Sequence, residues 1–364
     1  MKVLNYFRNL ALLTLLTTLR NMTKTIKLSC LICALTVSTL THAESNTWKK
    51  LKAFADVTDV RGASSKEEFK ALKWLQNQYQ AIGLNAEIQP FSFSVKGKTY
   101  ESNNLEVVIK GKSAKTVIVG AHYDGVTGSG SKGFIDNASG AITLLGVAEQ
   151  IKSKPLPYTV RLVHFGAEEI GIFGSEAYVN NQKNNLKNVI GMINLDTIIG
   201  GDYLYIHSAQ AKPYSCKKID KQNYNSNPIL RDKLLALSHS LNLKNGFIIH
   251  PTTSAFKQGE TGSWSDHYPF ACSGIPIAYL ESTNFLINGK DGYDGYSQTT
   301  DKQFWDCFDD KKMTACHRQT ESKWGNIWHT KFDSATFLTA KENKKLESQL
   351  NSAVTLISHF LFLP

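Results

Sequence analysis

Seven side chains of the kinds that bind divalent metal stand at the ends of short apolar runs in this sequence, or in the turns that follow them. His122 and Asp124 close VIVGAHYDG, Asp136 sits in GFIDNASG, and Glu168 and Glu169 are adjacent in VHFGAEEIGIFGSEAY. Asp196 ends MINLD, and His329 falls in NIWHT. Imidazole nitrogen and carboxylate oxygen are donors that zinc accepts readily. Two ions about 3.5–4 Å apart would need a carboxylate between them and further ligands on either side. Asp136, in a glycine-flanked turn ahead of a helix, suits the bridge. Adjacent side chains on extended backbone point to opposite sides, so one of Glu168 and Glu169 can bind metal. The other is left to take a proton from a metal-activated water and later deliver it to a leaving amine. That division of labour belongs to a metal-dependent hydrolase of peptide bonds.

Distant residues converge only if the fold gathers them. Ser64 or Ser65 can cap a helix, with Glu67 and Glu68 in its first turn and apolar positions at Phe69, Leu72, Leu75 and Tyr79. Ile82-Gly83-Leu84 ends it. Alternating runs at 86–95 and 102–109 read as an antiparallel hairpin. The runs 116–121, 158–165 and 189–194 are short and continuously apolar or β-branched, as in strands buried on both faces. Helical patterns lie at 138–152 and 174–181. A further unit has a helix near 228–241 and strands at 247–250 and 276–280. An amphipathic helix over 340–362 closes the chain. Strands alternating with helices predict a single α/β/α sandwich domain with a mixed, mostly parallel central sheet. Ligands of such sheets bind beyond the carboxyl ends of the strands, where His122, Glu168, Glu169 and Asp196 all stand.

Residues 1–43 read as a leader and the domain runs from about residue 44 to 364. Met22 offers a second start, followed by Lys24 and Lys27, an apolar run of about 13 residues from Leu28 to Leu40, and Ala43: a secretory signal peptide. Neither this run nor Leu10–Leu16 reaches the roughly 18–20 residues of a membrane span, so export to the periplasm or medium is expected, with no stable membrane anchor after processing. The formal charge of +10 includes five leader cations, Lys2, Arg8, Arg20, Lys24 and Lys27, which leaves 36 basic and 31 acidic residues, or +5. No Lys/Arg stripe interleaved with aromatics marks a nucleic-acid surface. Beyond Cys30 and Cys33 of the leader, an exported chain keeps four cysteines, an even number that favours disulfides. Cys307 and Cys316 flank a polar segment and make the first pair, which leaves Cys216 with Cys272; no CxxC spacing supports a zinc site instead.

The order HYD…DNASG…GAEE-GxxGS…NLD…SDH…WHT, over roughly residues 60–362, resembles the M28 family of zinc aminopeptidases. The resemblance implies two zinc ions per chain, held by His122, Asp136, Glu169, Asp196 and His329, with Asp136 as the bridge and Glu168 as general base. It sets His122 and Asp196 on opposite metals, although a pairing of His122, Asp136 and Asp196 against Asp136, Glu169 and His329 stays open. Asp124 would orient the His122 imidazole from behind, the kind of contact worth about 10–100-fold in affinity or activity. The substrate implied is the free N-terminus of a peptide or protein. The chain departs from the family where many members carry an Asp at Ile135, and where some carry a Tyr at Trp328.

His267 in SWSDHYPF has the type of a ligand, but the WHT histidine fills that role in the family, so His267 lines the site or holds a loop. His164, His207, His239, His250, His317 and His359 read as structural or solvated. Three rivals to an aminopeptidase remain: a one-zinc glutaminyl cyclase, an acyltransferase of the same fold; a carboxypeptidase or dipeptidase; and a receptor-like module that has lost catalysis. The last conflicts with a ligand set from which nothing is missing.

Overall fold

The three uninterrupted apolar runs lie side by side in the middle of one sheet, as strands covered on both faces must. The computed structural model describes residues 44–220 and 222–364; the expected leader, with Met22, Cys30 and Cys33, lies outside the described residues. Residues Ser45–Pro364 form one unit. Its sheet has nine strands in the order β1-β2-β4-β3-β5-β9-β6-β7, with β8 paired to β6. The strands are β1 Ala86–Val95, β2 Lys98–Ile109, β3 Ser113–His122, β4 Tyr158–Phe165, β5 Val189–Leu195, β6 Tyr203–Ala209, β7 Phe247–Ile248, β8 Glu260–Thr261 and β9 Ile277–Thr283. β4, β3, β5 and β9 run parallel, whereas β1–β2, β2–β4 and β6–β9 are antiparallel. The expected mixed, mostly parallel α/β architecture is the one observed.

Helices cover both faces. Period-two alternation in β3 sends Val117, Val119 and Ala121 to one core and Ile118 to the other. The first core lies beneath α1 (Asn46–Val57), α2 (Lys66–Ala81), α3 (Ser139–Ile151), α5 (Ile229–Ser240) and α7 (Ala335–Phe360). The second lies beneath α4 (Phe173–Asn180) and α6 (His267–Cys272). Ser65 caps α2, accepting a 3.0 Å bond from the Glu68 amide, while Leu72, Leu75 and Tyr79 turn inward. Phe69 does not: it is 54% exposed, because the inward stripe runs through Glu68, Ala71 and Leu72. β6 is an element the sequence reading passed over. Its Tyr- and His-containing run lacks the aliphatic continuity of β3 to β5, and it owes its place to pairing with β9.

Both disulfides are present. Cys216–Cys272 ties the segment after β6 to α6 across 56 residues, and Cys307–Cys316 closes a short hairpin of β10 (Phe308–Asp309) and β11 (Thr314–Ala315). Among the described residues, no helix is long and apolar enough to cross a membrane.

Two measurements test this account of stability. The loss of chain entropy in the unfolded state grows with the length of the loop closed. Replacing Cys216 and Cys272 by Ser should therefore cost about 4 kcal/mol and replacing Cys307 and Cys316 about 2.5 kcal/mol, read by denaturant unfolding; a reversed order would contradict it. The second concerns His164, whose Nε2 is hydrogen-bonded to the Tyr79 hydroxyl oxygen at 2.8 Å. Burial lowers its pKa to about 3. In the unfolded chain it takes a proton near pH 6.5, so its folded, neutral form loses ground as pH falls from there towards 3. The stability advantage of wild type over His164→Gln should shrink by about 1.4 kcal/mol per pH unit below pH 6.5. A gap that stays constant down to pH 4.5 would count against this.

Candidate metal centre

β3, β4, β5 and β9 are parallel, so their carboxyl ends share one rim, and the chain moves from β4 across β3 to β5 there. Such a switch in strand order opens a crevice at that rim. His122 is the last residue of β3, Asp196 follows β5 directly, and Glu168 and Glu169 lie just past β4. Asp136 comes from the turn Phe134–Ala138 that leads into α3, and His329 from the loop ahead of α7.

The seven predicted side chains meet there. His122, Asp136 and Asp196 offer one ligand atom each within 4.8 Å of one another, and so do Asp136, Glu169 and His329. The Nε2 of His122 lies 3.2 Å from Oδ1 of Asp196 and 3.3 Å from Oδ1 of Asp136. The Nε2 of His329 lies 3.1 Å from Oδ2 of Asp136 and 2.9 Å from Oε2 of Glu169. Asp136 thus turns one oxygen to each trio. His122 and Asp196 fall in one trio, the grouping left open by the sequence; their side chains reach the crevice from β3 and β5, neighbours in the sheet.

Glu168 and Glu169 diverge at a loop where Ala167 has φ 54°. Asp124 fixes that loop. Its two oxygens accept the amides of Glu168 (3.0 Å) and Glu169 (3.1 Å), and its Oδ1 also lies 3.5 Å from Nδ1 of His122. His267 belongs to neither trio. It is fully buried, bonds the Gly262 carbonyl through Nε2 at 2.7 Å and packs on Tyr279.

The electrostatics are those of a site short of positive charge. Burial raises the pKa of Glu168, and the nearby Asp266, Asp196 and Glu169 add to this while His122 opposes it. Burial, then Asp136, pushes Glu169 up to about 7 against His329. Burial also raises Asp196. The bridging position alone goes the other way: burial is outweighed by His122 and His329, which hold Asp136 below the usual carboxylate range. Burial also disfavours charge on His122, but Asp196 and Glu168, with Asp124 and Asp136, raise its pKa well above the usual imidazole value. In addition, Oε1 of Glu169 is buried without a hydrogen-bond partner. Nitrogen and oxygen donors in two trios, an unpartnered carboxylate oxygen and an excess of buried acid together fit divalent cations.

Four residues that the sequence reading passed over hold this arrangement. Asn137 joins the bridge turn to the β5 loop: its Nδ2 donates to the Leu195 carbonyl at 2.8 Å, and its Oδ1 accepts the Thr197 amide at 3.2 Å, one residue either side of Asp196. Its Oδ1 also accepts the Gly140 amide at 3.0 Å, and a Cβ on Gly140 would stand 2.4 Å from that oxygen, so a side chain is excluded there. Ser265 donates to Oδ2 of Asp196 at 2.7 Å. Asp266 is buried with both carboxylate oxygens unpartnered. Glu68 accepts from Ser102 at 2.6 Å and from the Ala167 amide at 3.2 Å, bracing the loop that carries the glutamate pair. The SDH triplet was the visible signal for Ser265 and Asp266, and the capping box for Glu68. Asp333 accepts the Ile135 amide at 2.7 Å and the Ser131 hydroxyl at 2.9 Å. It fastens the His329 loop to the Asp136 turn.

Known proteins share both the fold and the sequence pattern. A 254-residue stretch is 27% identical to the alkaline phosphatase isozyme conversion protein of Escherichia coli, covering 64% of this chain and 70% of that protein. A glutaminyl cyclase from Porphyromonas gingivalis superposes with a TM-score of 0.59 at 18% identity, covering 87% of this chain and 98% of its own. A zinc aminopeptidase from Bacillus subtilis does so with a TM-score of 0.58 at 16% identity, covering 86% and 93%. The model of peptidase family M28 matches residues 104–354, which include all seven residues of the centre. The chain therefore belongs to peptidase family M28 and is a hydrolase.

Proposed function

We propose that the protein is an exported two-zinc aminopeptidase, acting on the first peptide bond of chains with a free α-amine. One observation carries the reading: Asp136 presents one carboxylate oxygen to each of two ligand trios. His122, Asp136 and Asp196 would hold one ion, and Asp136, Glu169 and His329 the other. When bound, the ions supply Lewis acidity, polarising the scissile carbonyl and lowering the pKa of a water towards neutrality.

The remaining work falls to the chain's own groups. Glu168 stands in neither trio and is the proposed general base. A carboxylate with a raised pKa accepts a proton at neutral pH and holds it long enough to pass it to the departing amine. The Asp124 bonds to both glutamate amides support this role, since they fix the backbone from which Glu168 and Glu169 separate. The two disulfides support export, because they form and persist in oxidising compartments. A 254-residue kinship with the alkaline phosphatase isozyme conversion protein of Escherichia coli supports a protein as substrate.

The test compares purified wild type with two single variants on aminoacyl p-nitroanilides and short peptides, with metal counted by elemental analysis. Glu168→Gln should keep both ions and the substrate affinity but lose about 10²–10⁴-fold in rate. Glu169→Gln should lose metal, because an amide oxygen is a poorer zinc ligand than a carboxylate. An N-acetylated peptide should resist cleavage. Near-normal turnover by Glu168→Gln would remove the assignment of the base. Equal cleavage of blocked and free peptides would remove the aminopeptidase reading, and about one ion per chain with cyclisation of N-terminal glutamine would replace it by a cyclase.

A further inference from the structure

Arg61 lies behind the candidate metal centre, between α1 and α2, and is 1% exposed. The hydrogen bonds of its guanidinium go to backbone carbonyls. Nε donates to Tyr123 at 2.7 Å, Nη1 to Lys132 at 3.1 Å and Nη2 to Gly133 at 2.7 Å. Its own carbonyl accepts the Gly125 amide at 3.1 Å. Tyr123 separates His122 from Asp124, and Gly133 opens the turn that carries Asp136. One planar group therefore spans the two loops that supply the first ligand and the bridge.

The surroundings are built to accept that group. The Phe54 ring of α1 lies 5.1 Å from the guanidinium carbon. Gly133 has φ 63°, and a Cβ there would stand 2.6 Å from Nη2, so glycine serves both the backbone turn and the approach of the arginine. Burial lowers the Arg61 pKa, while Asp333, Asp124, Asp136 and Glu169 raise it; those same four acids gain from a fixed cation nearby. A guanidinium presents five donors in a rigid fork, which an ammonium on a flexible stem cannot copy.

We propose that Arg61 is the positioning residue of the metal centre: its three-carbonyl fork sets the spacing between the His122 and Asp136 loops, and through it the affinity for metal. The inference rests on the two-metal reading above. Outer partners of metal ligands are worth about 10–100-fold in affinity, and Arg61 acts on two ligand-bearing loops together.

The experiment titrates cobalt(II) and zinc into chelator-stripped protein against a chromophoric competitor, for wild type, Arg61→Lys, Arg61→Gln and Arg61→Ala, with circular dichroism as the check of folding. Folded Arg61→Lys and Arg61→Gln should both bind metal about 10–100-fold more weakly and show altered cobalt absorption bands. Millimolar ethylguanidinium, but not ethylammonium, should restore affinity to Arg61→Ala. Variants that lose thermal stability yet bind metal as wild type does would overturn the proposal, leaving Arg61 a packing residue. So would full affinity in Arg61→Lys, which would make charge alone sufficient. If Arg61→Ala does not fold, the Lys variant decides. Wild type that binds no metal would overturn the two-metal reading itself, and this inference with it.

Discussion

The structure is organised around an electrostatic imbalance. Asp124, Asp136, Glu168, Glu169, Asp196 and Asp266 gather around buried His122, and His329 closes the solvent-exposed side of the crevice. Buried carboxylates repel one another and lose hydration, and each must be paired, protonated or bound to metal. Burial among one another raises the pKa values of Glu168, Glu169 and Asp196 accordingly. Local propensity does not favour such an assembly, so the rest of the domain has to impose it. The nine-stranded sheet does so by ending four parallel strands on one rim, where the attractive cores beneath α3, α4 and α7 fix the strand ends independently of what those ends carry.

Between strand ends and ligands lie loops, and loops are ordinarily the mobile part of a fold. Here they are cross-tied by hydrogen bonds that pass from one to the next. Asp124 holds the glutamate loop, Asn137 holds the Asp196 loop, Asp333 holds the Asp136 turn and Arg61 holds both the His122 loop and that turn. Each tie uses a polar side chain from one loop on a backbone group of another. The ligands themselves are thereby relieved of structural duty, and their free atoms stay directed at the centre.

This division also explains what the sequence discloses. The ligand types stand out because a buried Asp or His after an apolar run has few structural reasons to be there, and the HYD, DNASG, GAEE, NLD and WHT segments carry them together. Buried strands β3, β4 and β5 and the hairpin β1–β2 are legible from their apolar periods, as is the long helix α7. The sequence reading misses β6, whose Tyr, His and Ser residues only become a strand through β9. It also places Phe69 inward, where Glu68 turns in instead to brace Ala167. Asn137, Asp333 and Arg61 are illegible for a different reason. Their partners are backbone amides and carbonyls up to 198 residues away, and nothing in residue type announces a bond to the backbone of a distant loop. The pairing of His122 with Asp196 likewise depends on β3 and β5 being neighbours, which is topology and not spacing.

The same imbalance links stability to function. A cation that binds the folded centre and not the unfolded chain stabilises the fold by the full free energy of binding at its prevailing concentration. Such binding would offset the repulsion among the acids, so the electrostatic cost of gathering them and the affinity for a cation have a common origin. A centre with fewer carboxylates would be easier to fold and would hold metal less tightly. Neutral ties through Asn137 and Ser265, and the buried guanidinium of Arg61, let the chain keep the acids close. Replacing those ties by further acids would raise the repulsion, whereas replacing them by lysines at the centre would compete with the metal for the same oxygens. Hydrogen bonds to backbone, placed one layer behind the ligands, satisfy both requirements at once.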